Sequence, residues 1–266
     1  MGEAMAVLAM DTATQVLAAA VRADGGREAS VALQIPRGHS RLLHPALKGL
    51  LQASGVAPGD LREIIVGVGP GSYTGVRIGV AAAKAMAAAL GIPVRPVSTL
   101  WMMAEAAAPG GRRPQPGSEA EATLVLPLLY ARRQRAYGAL YGKRGGVWRV
   151  VESEQVLPVA EWLARLRARL ASAPAGAVKG AWTGVIVHDL AGPVEELLAD
   201  GGGASRVWTL SDAAGRLGPS LLRLGERPEV PRLDGDALHA LTPEYRLPVE
   251  AEVKLAERSL MTHGDG

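Results

Sequence analysis

Apolar residues fall along this chain first in short runs broken by turn signals, then in longer stretches with helical spacing. Residues 5–10 form the first run, closed by Asp11-Thr12. Residues 16–21 form the second, ending at Asp24-Gly25-Gly26, and residues 29–35 the third, ending at Pro36. Such short runs with tight turns predict an antiparallel meander. A helix follows over 41–53, where Leu42, Leu43, Leu47, Leu50 and Leu51 recur on one face. Ser40 suits its N-cap and Gly55 follows its end. Pro45 is expected close enough to the first turn to be tolerated.

Residues 64–68 read as a buried strand, followed by the loop Gly69-Pro70-Gly71-Ser72-Tyr73-Thr74-Gly75 and a helix over 76–90 that Gly91 stops. A strand at 93–97 and a helix over 98–108 complete a βββαβαβα unit. Residues 109–121, rich in Gly, Pro, Arg and Glu, read as a flexible loop. The order then repeats. Strands are expected at 123–129, 136–141 and 147–151, a helix at 158–170 and a strand at 184–188. A helix around 193–199, a strand at 207–210 and a helix at 211–224 follow.

Repetition at this scale fixes more than any single element. Two βββαβαβα halves are the plan of the α/β actin/hexokinase/Hsp70-like fold. The expected organisation is a first subdomain over 1–108, to which the helix 211–224 returns, and a second over 122–210, with a mobile tail at 252–266.

Composition narrows the function classes. The 266 residues are 48% hydrophobic, enough for a real core. Formal net charge is only +3, so nucleic-acid binding gains little support from charge alone. Cys is absent, which excludes disulfides and thiolate chemistry. Phe is also absent, leaving the core to Leu, Val, Ala and Ile. No long uninterrupted apolar run predicts a membrane span. Residues 1–7 lack the basic region of a signal peptide, and a cytoplasmic protein is expected.

Candidate chemistry centres on the loop 69–75. Glycines between a strand and a helix permit a tight bend and leave amide groups at a helix N-terminus, which suits an anion. Gly69, Gly71, Ser72, Thr74 and Gly75 are therefore candidate phosphate or nucleotide contacts, together with Asp11 and Thr12 at the first hairpin. Equally, the loop fits a tight turn that needs no ligand. The spacing matches neither a Walker loop nor a dinucleotide fingerprint. In actin-like phosphotransferases glycine follows the Asp of the first hairpin; here Ala13 and Thr14 stand there, which favours a capped turn. His39, His44, His188, His239 and His263 show no metal spacing and are expected as surface or capping residues. Arg132, Arg133, Arg135, Lys143 and Arg144, interleaved with Tyr130, Tyr137 and Tyr141, fit either an RNA-contacting hairpin or a solvated one.

Three stretches carry a family resemblance: Arg37-Gly38-His39-Ser40-x-x-Leu43, the long loop running on into Val76-Arg77-Ile78-Gly79, and Val97-Ser98-Thr99-Leu100. With the Asp11-Thr12 start and the late Pro243-x-Tyr245, the chain resembles the TsaB (YeaZ) family of tRNA threonylcarbamoyladenosine biosynthesis. Two positions depart from it. Tyr130 stands where the family usually has Asp, and Tyr245-Arg246-Leu247 stands where it tends to have Tyr-Leu-Arg.

The resemblance implies a scaffold or activator subunit with no catalytic residues, metal or cofactor of its own. It further implies a heterodimer with the catalytic paralogue TsaD, the P-loop ATPase TsaE as a further partner, ATP bound in the complex, and tRNA engaged through it. A homodimer is implied when the paralogue is absent. That paralogue binds its metal through two His, four apart on a helix; the matching positions here are Thr99 and Met103. The alternatives are an actin-like small-molecule phosphotransferase, against which the missing glycines argue, and a peptidase, for which no nucleophile or metal set is positioned.

The helix 76–90 adds a surface. Val76, Val80, Met86 and Leu90 are expected on the sheet, with Ala81, Ala85 and Ala88 forming a small-residue strip beside the charged Arg77 and Lys84. Leu43, Leu47, Arg77, Ala81, Lys84, Ala85 and Ala88 are the expected partner contacts.

Overall fold

A computed structural model describes residues 5–35, 38–108, 122–172 and 182–245. The loop at 109–121 and the tail at 252–266 lie outside the described residues.

Two five-stranded sheets carry the molecule. The first comprises β1 (Ala6–Asp11), β2 (Val16–Arg22), β3 (Glu28–Gln34), β4 (Leu61–Gly67) and β5 (Val94–Val97), in the order β3-β2-β1-β4-β5. The second comprises β6 (Ala122–Tyr130), β7 (Arg135–Arg144), β8 (Val147–Pro158), β9 (Thr183–His188) and β10 (Arg206–Thr209), in the order β10-β9-β6-β7-β8. Read from the other edge, the second order repeats the first strand for strand. Each sheet joins an antiparallel meander to two parallel strands. This is the duplicated actin/hexokinase/Hsp70-like α/β fold.

Burial follows from position in the sheet. β1 and β2, central and covered on both faces, are buried almost throughout. The edge strand β3 is only partly buried.

Helices α1 (His39–Ala53) and α2 (Tyr73–Leu90) pack on one face of the first sheet. Helix α4 (Val159–Ala171) packs on the outer face of the second. Between the sheets lie α3 (Thr99–Ala107) and α5 (Leu210–Gly225), which share one core with both of them. α5 crosses back onto β1, β2 and β3, while α3 leans on β6, β7 and β9. Gly218 permits the close α5 approach, because a Cβ there would stand 2.7 Å from the Ala19 carbonyl oxygen.

Several boundaries differ from the sequence expectation. α1 starts at His39 behind Gly38, whose φ of 107° turns the chain; Ser40 is an exposed first-turn residue and not the cap. Pro45 consequently lies in the second turn, on the exposed side. α2 starts three residues early because the Ser72 hydroxyl caps the Gly75 amide. β8 runs on to Pro158 through the polar stretch Glu152-Ser153-Glu154-Gln155, since β7 pairs with it on both sides of a register shift at that stretch. The segment expected as a helix at 193–199 is a 3₁₀ turn over Gly192–Leu198, too short and too close to Gly201-Gly202-Gly203 to propagate. A short α6 (Gly235–Ala240) was not legible.

Candidate functional site

The first hairpin turn and the glycine loop meet at one end of the first sheet. Asp11 is fully buried at the end of β1, where Gly67 makes room for it: a Cβ there would lie 1.7 Å from Asp11 Oδ2. Asp11 Oδ1 accepts from the Ala13 amide at 2.8 Å, and Oδ2 accepts from the Thr99 hydroxyl at 2.7 Å. The Thr99 hydroxyl in turn accepts from the Gly69 amide at 3.2 Å, and the Thr99 amide donates to the Gly69 carbonyl at 2.8 Å. Burial pushes the Asp11 carboxyl up to about 6, the Thr99 and Ala13 hydrogen bonds offsetting only part of that cost.

The glycines of the loop face protein. The Ser72 amide donates to the Ala13 carbonyl at 2.7 Å, and the Thr12 hydroxyl donates to the Gly75 carbonyl at 2.6 Å. A Cβ at Gly71 would sit 2.3 Å from the Ala13 carbonyl oxygen, and one at Gly75 2.1 Å from that of Thr12. Asp11, Thr12, Gly69, Gly71, Ser72 and Gly75 are thus brought together, and Thr74 stands exposed in the first turn of α2. The main chain of Thr12 and Ala13 lies directly against Gly71 and Gly75. The close approach is what these glycines serve. Thr99 and Met103 are both fully buried, Thr99 as the link to Asp11.

The expected partner residues divide. Ala81, Ala85 and Ala88 lie exposed on the outer face of α2, in line with the exposed Arg77 and Tyr73 at helical spacing. Leu43 and Leu47 are instead buried against the sheet, so the partner surface loses both; the apolar stripe of α1 is consumed by its own core. Lys84 is half-buried and donates to the carbonyls of His239 at 2.7 Å and Leu241 at 2.8 Å. Met86 and Leu90 only flank the sheet face, which Val76, Gly79, Val80, Ala83 and Ala87 form.

The segment after α6 then crosses the glycine loop. The Glu244 amide donates to the Val68 carbonyl at 2.8 Å, and the ring of Tyr245 stacks on Tyr73 with centroids 4.8 Å apart. Arg77 donates to the Tyr73 hydroxyl at 2.7 Å. The late Pro243-x-Tyr245 motif therefore belongs to the loop it follows by some 170 residues of chain.

The basic-aromatic hairpin also divides. Arg132, Arg133 and Arg135 are exposed around the β6–β7 turn, where Arg132, Arg133 and Gln134 have φ of 66°, 52° and 57°. Lys143 lies at the far end of β7, paired with Glu105 at 3.0 Å, and Tyr141 is buried. Tyr130 is exposed; its amide donates to the Asp189 carboxylate at 2.7 Å, and burial raises that carboxyl to about 6. His39 and His188 are buried, not superficial, and burial lowers both. Among the described residues no group of three His, Cys, Asp or Glu is placed to hold a metal, and no helix is long and apolar enough to cross a membrane.

Comparison with known proteins places this geometry. Residues 31–180 match the family model "TsaD: tRNA N6-adenosine threonylcarbamoyltransferase". The chain is 37% identical over 163 residues to the tRNA threonylcarbamoyladenosine biosynthesis protein TsaB of Bacillus subtilis, covering 61% of this chain and 66% of that one. It is 36% identical over 154 residues to the TsaB of Escherichia coli, covering 58% of this chain and 62% of that one. These matches span slightly less than two thirds of the relatives' length. A solved structure of YeaZ from Pseudomonas aeruginosa superposes with a TM-score of 0.62 at 25% identity, covering 91% of this chain and 99% of that one. The match to the family model takes in more than half of the chain, and with these relatives beside it the chain belongs to the TsaB (YeaZ) family.

Proposed function

We propose that this chain serves tRNA threonylcarbamoyladenosine biosynthesis as a non-catalytic subunit, docking through the outer face of α2 onto a TsaD-type catalytic paralogue. The observation that carries this reading is the closure of the hairpin–loop site. A phosphotransferase needs open amides between the first turn and the glycine loop, and here the Ala13 carbonyl takes the Ser72 amide and the Ser72 hydroxyl takes that of Gly75. The relatives' name supplies the pathway.

The docking face is the second support. α2 is about 27 Å long at 1.5 Å per residue. Its outer face offers Ala81, Ala85 and Ala88 to solvent, where an exposed helix normally carries Lys and Glu. Small side chains let a partner helix approach closely, and Tyr73, Arg77 and Tyr245 rim the strip with side chains suited to an interface. In this reading a P-loop ATPase of the TsaE kind and tRNA join through the heterodimer, ATP belongs to the complex, and the isolated chain pairs with a second copy through the same strip.

Reconstitution tests it. The chain alone should transfer no threonylcarbamoyl group to tRNA. Modification should require the paralogue and the ATPase, and omission of this chain should abolish it. Modification at full rate without this chain overturns the proposal.

A further inference from the structure

A second cleft opens at the opposite end of the sheets from the glycine loop. α3, α5 and the β7–β8 hairpin border an open cleft of about 570 Å³, lined by Lys143, Arg216, Arg223, Arg227 and Glu105. That volume lies within the usual range for small-molecule sites. Four cations and the carboxylate of Glu105 line it.

The carboxylate is spent inside the protein. Glu105 accepts from Lys143 at 3.0 Å, from the Trp148 indole at 2.7 Å and from Arg223 at 2.9 Å. Arg227 closes the rim through the Gly146 carbonyl at 2.8 Å and pairs with Glu229 at 3.3 Å. Arg216 forms no ion pair among the described residues, and lies 4.8 Å over the ring of Trp208. A cation in a last helical turn stabilises the helix dipole, which accounts for Arg223 near the end of α5. It does not account for Arg216, which is mid-helix, nor for Lys143, which is on a strand.

We infer that this cleft binds a small ligand carrying two or more linked phosphates. Arg216 and Arg223 lie seven apart and so on one stripe of α5, and Lys143 faces them from β7. Guanidinium groups on one wall with an ammonium opposite suit a chain of phosphates. The inference does not depend on the docking of α2.

Calorimetric titration of the full chain with ATP, ADP and pyrophosphate tests it, beside Arg216→Ser/Arg223→Ser and, as a control at the other end, Ser72→Arg. All three probes should bind in competition and weaken as salt rises. The double variant should lose about tenfold or more in affinity while remaining folded, its melting temperature lowered by only a few degrees through loss of the Arg223–Glu105 pair. Ser72→Arg should bind like the parent chain. Binding that survives the double variant, or disappears in Ser72→Arg alone, overturns the assignment. So does absence of binding at millimolar probe.

Discussion

The hydroxyl of Thr99 donates to Oδ2 of Asp11 at 2.7 Å, tying the first turn of α3 to the end of β1 across 88 residues of chain. One hydrogen bond thus joins the helix between the sheets to the turn that closes the glycine loop. It also holds a fully buried carboxyl whose proton is retained to about pH 6.

That shift makes stability depend on pH in a definite sense. The folded state binds the Asp11 proton more tightly than the unfolded chain, so the contribution is complete below the unfolded value of 3.8 and is lost as pH rises to about 6. Asp11→Asn carries no such dependence. Its stability relative to the parent chain should improve by about 3 kcal/mol between pH 3.5 and pH 7, two pKa units' worth. Denaturant midpoints of both chains across that range measure it. A difference that stays flat with pH would falsify the assignment. Asp189, raised in the same way, cancels because both chains carry it.

Gly71→Ala and Gly75→Ala should each destabilise the fold by about 2 kcal/mol or more, because each Cβ meets a backbone carbonyl oxygen at under 2.5 Å. Ser72→Ala removes only the cap on the Gly75 amide and should cost about 1 kcal/mol. Thermal melts of the three variants decide the matter. An open anion cradle would instead tolerate all three.

Ala85→Arg should abolish binding to the paralogue and leave the monomer's melting temperature within a degree or two, since Ala85 is exposed on the free helix and touches no core. Isothermal titration and a melt of the same sample read both. An unchanged dissociation constant removes the strip from the interface, and an unfolded monomer removes it from the surface.

The duplication was readable because each half repeats an order that hydrophobic periodicity exposes, and β1, β4 and β6 are apolar enough to leave no alternative. The meeting of Asp11 with Thr99 was not readable. A Thr at a helix start reads as a cap, and nothing local says that a carboxylate 88 residues earlier receives its proton. Leu43 and Leu47 were placed on the wrong surface for a related reason: an apolar stripe shows that a face is covered, not by which chain. Glu105 gave no signal at all, because its partners Lys143, Trp148 and Arg223 come from three other elements. The docking of Tyr245 on Tyr73 had a trace in the family motif but no geometry.

That docking should be measurable as a coupling. Three contacts hold the segment after α6: Lys84 on the carbonyls of His239 and Leu241, the Glu244 amide on Val68, and Tyr245 on Tyr73. Both rings remain more than two-fifths exposed, so their stacking acts mainly as a clamp on the chain and buries little area. Tyr73→Ala and Tyr245→Ala should each cost about 1 kcal/mol. The double variant should cost less than the sum by about 0.5 to 1 kcal/mol, the usual worth of an aromatic pair at a partly exposed site. Because Arg77 and Tyr245 both bond the Tyr73 hydroxyl, Tyr73→Phe should keep the stack and lose only those polar contacts. Amide exchange at Glu244 separates a clamp from a passive contact. It should speed up in Tyr245→Ala and Tyr73→Ala alike, and stay close to the parent rate in Tyr73→Phe. Strict additivity of the two alanine variants, with Glu244 exchange unaltered, would show that Lys84 and Val68 hold the segment without the ring pair.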